Sequence, residues 1–85
     1  MKDIFSIKGK VIIITGGGNG IGQNLSVNMA HEGAYVYSID IRFNKTKKNK
    51  FLIQETCDIT DFKKFERLCN KIFKKHKKID VLINC

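Results

Sequence analysis

The chain contains no proline, no repeat and no apolar run near the roughly 20 residues a membrane-spanning helix needs. The first of these leaves no proline-rich linker, and 85 residues then make room for one small domain rather than two. The opening MKDIFSIKGK has no apolar core of a signal peptide, so the cytoplasm is the expected location and no membrane partner is expected. Three cysteines, Cys57, Cys69 and Cys85, are an odd number without a CxxC pair. That argues against a disulfide framework or a zinc site, and the sequence predicts free thiols and no metal.

Charge of one sign is scarce in the second half. Residues 1 to 40 balance three lysines against three acids, whereas residues 41 to 85 set thirteen Lys and Arg against five acids, and so hold the whole net charge of +8. Such asymmetry fits a nucleic-acid or acidic partner, or simply a lysine-rich background composition. The phenylalanines mostly follow apolar stripes and strands instead of interleaving with the cations, which argues against nucleic acid.

The elements alternate. Residues 11 to 15, VIIIT, predict a strand buried on both faces, and GGGNGIG follows directly. From Gly20 to Glu32, Ile21, Leu25 and Met29 recur every fourth position and predict a helix, with Gly33 in place for a left-handed cap. AYVYSID predicts a second strand ending at Asp40; residues 41 to 50 predict an exposed connection with at most one helical turn. Residues 51 to 57 predict a third strand. From Thr60, a candidate N-cap, Phe62, Phe65, Leu68, Cys69, Ile72 and Phe73 share a helical stripe that ends in KKHKK, and residues 80 to 84 predict a fourth strand. The predicted fold class is α/β: alternating strands and helices make a parallel sheet of about four strands, with helices on both faces.

A glycine string alone marks only a tight turn, but here it follows a strand, opens a helix and precedes an acid that closes the next strand. Gly16 lets the chain turn, Gly20 removes a Cβ that would block a pyrophosphate, and Gly22 lets the helix pack closely; Gly18 and Asn19 complete the loop facing the phosphates. The phosphates would meet free N–H groups at the positive end of the helix. Asp40 would accept hydrogen bonds from the adenosine ribose and repel a 2′-phosphate, which favours NAD over NADP. Arg42, two positions on, is the countervailing feature, although neither Ile41 nor Asn19 is charged.

The spacing is T-G-x-x-x-G-x-G, and with it the chain resembles the short-chain dehydrogenase/reductase family. Ile7 to Val11, TGGGNGIG from Thr15 to Gly22, Asp40, CDIT from Cys57 to Thr60 and DVLIN from Asp80 to Asn84 occur in the family's order. The resemblance implies a partial Rossmann-like sheet with strand order 3-2-1-4, truncated relative to the family fold, so that residues 1–85 form an incomplete NAD(P)-binding Rossmann domain. It also implies that Asp58 bonds the adenine amino group, Ile59 lines the adenine pocket, Ile21 lies near the nicotinamide, and Asn84, matching the first asparagine of N-N-A-G, lies near the cofactor ribose. Cys85 departs from that motif's second asparagine. On its own residues Asp58 reads equally well as the organiser of the turn before the second helix.

The family's catalytic Ser and Tyr-x-x-x-Lys are not found: the residues four beyond Tyr35 and Tyr37 are Ile39 and Ile41, and His31 and His76 read as surface residues. These residues are therefore expected to be the cofactor-binding front of an oxidoreductase, from a truncated or split gene or a fragment, inactive alone. The other reading is a stand-alone nucleotide-binding or basic interaction module. The fourth strand, an apolar edge, is expected to pair with a second copy or a complementing chain.

Overall fold

β-branched side chains and unbroken apolarity put Val11–Thr15 (β1) in the middle of the sheet, buried along its whole length. A computed structural model describes residues 5–85. β2 (Tyr35–Asp40) lies on one side of β1 and β4 (Val81–Asn84) on the other, with β3 (Leu52–Thr56) beyond β2. All pairs are parallel, in the order β3-β2-β1-β4 that the resemblance implies.

Successive residues of β1 face opposite ways. Val11 and Ile13 join Tyr37, Ile39, Cys57 and Ile72 on one face, while Ile12 and Ile14 join Ala30, Ala34 and Val36 on the other. The helix α2 (Phe62–His76) covers the first face and α1 (Gly20–His31) the second, so each face has its own helix.

The surface of α1 that meets the sheet is not centred on the largest apolar residues. Gly22, Ser26 and Ala30 are buried, Leu25 and Met29 pack at the margin, and Ile21 is 77% exposed. The cause is distance. A Cβ at Gly22 would overlap the Gly16 carbonyl oxygen, so only small side chains fit under this helix. Gly33, at φ 93°, takes the left-handed position after the helix, with its N–H on the Ala30 carbonyl.

At the start of α2, Asp61 is the N-cap and accepts from the Lys64 N–H at 3.3 Å. Thr60, expected in that role, is engaged elsewhere: its hydroxyl and its N–H both donate to Asp58 Oδ1, at 2.6 and 2.9 Å. Phe65, Leu68 and Cys69 pack against the core around Ile72, whereas Phe62 and Phe73 are 81% and 53% exposed. Both sit about 100–120° around the helix from the Leu68–Ile72 centre of the stripe. His76, expected at the surface, lies 2.6 Å from the Tyr37 hydroxyl and stacks near Tyr35.

Residues 41 to 50 form no helical turn. Asn44 anchors them instead: its N–H donates to the Gly18 carbonyl and its carbonyl accepts from Gln23 Nε2, both at 2.7 Å. The lysine-rich connection is thereby tied to the glycine loop.

Candidate functional site

In a parallel sheet the C-terminal strand ends and the helix N-termini gather on one side. Here the ends of β1, β2 and β4 meet the first turn of α1. Gly16 leaves β1 at φ 73°, and the N–H groups of Gly16 and Gly17 both donate to the Ile39 carbonyl, at 2.8 and 3.3 Å. Asn19 is extended, at φ −158° and ψ 171°, and its side chain makes no capping bond. The first-turn N–H groups of α1 therefore lack a side-chain acceptor, and the positive end of the helix is left for an anion.

Gly20 is the residue a bound group would meet first. Its φ is 55°, and a Cβ built on it would find nothing within 4 Å. Asp40 stands across the opening. Its Oδ2 accepts from the Gly18 N–H at 3.0 Å and its Oδ1 from the Ile41 N–H at 2.7 Å, so the carboxylate is fixed in direction. An open cavity of about 450 Å³ is lined by Gly16, Asn19, Gly20, Ile21, Gly22, Asp40 and Cys85.

Six of the residues singled out from the sequence thus share one cavity. The other four stand around it. Gly18 packs against the segment after β2: a Cβ there would overlap the Arg42 carbonyl oxygen, and its amide holds Asp40. Asp58 follows the end of β3, where the Cys57 N–H donates to the Asp40 carbonyl at 3.1 Å. The Thr60 hydroxyl, then the Thr60 N–H, hold the Asp58 carboxyl below the usual carboxylate range. Its Oδ1 therefore organises the turn into α2. Ile59 is 46% exposed beside it. Asn84 Oδ1 accepts from the Thr15 hydroxyl at 2.7 Å, locking the ends of β4 and β1 together.

Two contributors escaped the sequence reading. The Cys85 backbone carbonyl comes within 2.5 Å of where a Gly16 Cβ would stand, and Gly17 has no room for a Cβ beside the Ser38 hydroxyl. A run of three glycines was the only signal for the second; the first was signalled only as a departure from the motif's second asparagine. Among the described residues no group of three or more His, Cys, Asp or Glu converges as a metal site, and no helix is long and apolar enough to cross a membrane.

The residues present fit a dinucleotide. An uncapped helix start, a glycine with clear space above it and a directed carboxylate supply an anion site and a hydroxyl acceptor in one cavity. The family model described as short chain dehydrogenase matches residues 10–85. The chain belongs to the short-chain dehydrogenase family. This family binds nicotinamide dinucleotides, and the chain corresponds to the N-terminal part of its oxidoreductases.

Among relatives, a short chain dehydrogenase/reductase of Gibberella zeae is 31% identical over 86 residues, which cover 93% of this chain and 32% of that protein. An NADP-dependent mannitol dehydrogenase of Alternaria alternata is 32% identical over 95 residues, covering 98% and 36%. The crystal structure of a short chain dehydrogenase from Leptospira borgpetersenii, with bound NAD+, superposes with a TM-score of 0.86 at 27% identity, covering all of this chain and 35% of that one. The chain spans about a third of the length of these relatives.

Proposed function

We propose that these residues form the cofactor-binding part of a cytoplasmic oxidoreductase that prefers NAD to NADP. The observation that carries this reading is the Asp40 carboxylate, fixed by the Gly18 and Ile41 amides at the mouth of a cavity floored by Gly20 and the start of α1. A carboxylate so placed accepts from two ribose hydroxyls and opposes a phosphate in their place. The N–H groups of the first turn of α1 hold the diphosphate, Gly20 leaves it room, and Ile21 covers the nicotinamide side. Asp58 and Ile59 border the adenine, and Asn84 holds the β1–β4 edge beside the ribose. Bound nicotinamide dinucleotide supplies the hydride acceptor and donor.

Within these 85 residues no tyrosine is followed four positions on by lysine, so the protein residues present bind and orient the cofactor and move no proton. Cys57, Cys69 and Cys85 are free thiols, which suits a reducing compartment.

Calorimetric titration with NAD and with NADP tests this reading. NAD is expected to bind at least about tenfold more tightly, and Asp40→Ala to weaken NAD by about tenfold while leaving NADP unchanged or tighter. Equal affinities, or an Asp40→Ala variant that binds NAD normally, would overturn the preference. Incubation with NAD and a simple alcohol should produce no NADH; steady NADH formation would overturn the assignment of binding alone.

A further inference from the structure

The outer edge of β3 lies between two banks of cations. In its ladder with β2, the Phe51 carbonyl accepts from the Val36 N–H and the Cys57 N–H donates to the Asp40 carbonyl. Phe51, Ile53, Glu55 and Cys57 therefore bond inward, and the backbone groups of Gln54 and Thr56 point away from the sheet. Among the described residues no strand pairs with that side.

On the α2 face, two adjoining grooves of about 230 and 320 Å³ run between β3 and the helix. Lys64, Arg67, Lys71 and Lys75 form their rim, and Ile53, Leu68 and Ile72 contribute the apolar floor. The spacing of these cations, three or four residues, keeps them on one side of α2. On the opposite face of β3 a third hollow, of about 390 Å³, is bounded by Lys47, Lys48 and Lys50 above Leu52 and Gln54. Glu55 is the one acid lining the three.

We propose that this edge docks an extended acidic segment of a partner protein, which adds to the sheet as a strand beside β3. Main-chain hydrogen bonds to Gln54 and Thr56 supply the register, as in other cases of strand addition. Successive side chains of the added strand point to opposite faces. One set meets the cations of α2 and the other meets the lysines of the connection, so acids are accepted on either face and apolar residues rest on Ile53 or Leu52. Lysines also guard bare edges against self-pairing, and here the same charges select an acidic partner over a second copy of this basic chain. Dinucleotide binding is not required.

The probe is a fluorescein-labelled decapeptide of alternating Glu and Val with blocked ends, titrated with the 85-residue chain and followed by anisotropy. Saturable binding is expected, weakened about tenfold or more when the same ten residues are arranged as a Glu block followed by a Val block. Lys71→Glu and Lys75→Glu combined with Lys47→Glu and Lys48→Glu, so that both faces lose cations, should weaken it by a similar factor; undiminished binding by that variant overturns the proposal. Gln54→Pro removes one outward N–H without touching the β2 ladder, a substitution that edge strands accept; it should abolish binding, while Gln54→Ala stays within about twofold of the parent. Absence of binding overturns the proposal, as does equal affinity for the block peptide. Undiminished binding by Gln54→Pro, or tighter binding of a single-stranded oligothymidylate than of the peptide, also overturns it, since charge alone would then explain the edge. If Gln54→Pro loses its circular dichroism spectrum, the block peptide and the charge reversals decide.

Discussion

Gly18 and Gly20 stand two residues apart and answer to different demands. A Cβ on Gly18 would strike the Arg42 carbonyl, whereas one on Gly20 would meet open space at a positive φ. Gly18→Ala is accordingly expected to push away the segment after β2, to lower stability by about 1–3 kcal/mol and to loosen Asp40. Gly20→Ala should cost only about 1 kcal/mol of conformational strain but reduce NAD affinity about tenfold or more. Thermal melts and titrations on both variants check this; matched losses of stability would contradict it. The glycines were legible in the sequence because a positive φ or a missing Cβ leaves few other residue types eligible, and Asp40 because it is an acid closing the strand that follows the glycine loop and helix. The contact of Gly18 with Arg42, the turn bonds of Asp58 and the Cys85 carbonyl in the cavity wall were not. Each depends on how segments distant in sequence meet, and no spacing rule records that.

Strand and helix order was likewise readable, since buried strands and amphipathic helices differ in apolar period. The inner side of α1 was read only in part: the close packing of Gly22 was legible, but a wheel of large apolar residues overlooks Ser26 and Ala30, which with Gly22 lie closest to the sheet. The partner of His76 was equally hidden: a helix end rich in lysine gives no sign of a tyrosine on β2. Burial, then Lys75 and Lys78, pull His76 below its usual range, and burial, then Glu55 and Tyr35, push Tyr37 up. Both shifts favour neutral partners in the folded chain. The unfolded chain binds more protons than the folded one as pH falls below about 6.5, so His76 contributes full stability above that value and loses it below. Tyr37 contributes fully below about pH 10 and loses its share as pH rises further, because the unfolded phenol ionises first. Denaturant melts across this range should show a plateau between the two limits. Tyr37→Phe should lower the plateau by about 1 kcal/mol and remove the alkaline limb; a curve superimposable on the parent's would refute the pairing.

At the scale of the molecule the two edges differ. β3 is bounded by lysines, whereas β4 presents Val81 and Leu82, 40% and 53% exposed, with no strand beyond it among the described residues. The 85-residue chain is expected to self-associate through β4 as concentration rises, and Leu82→Lys to return it to the monomer, as sedimentation velocity would show. A monomer at all concentrations would count against this. The position of β4 has another consequence. It bonds to β1, and the Val11 N–H meets Asp80 Oδ2 at 2.7 Å across 69 positions of sequence. Of these residues the central strand thus leaves the ribosome early, and its second neighbour is among the last to follow. While the intervening chain is being made, at roughly 5–20 residues per second, one side of β1 stays bare for several seconds. Pairings so distant in sequence form slowly, and during that interval the nascent chain is most exposed to chaperones and to its own copies on neighbouring ribosomes.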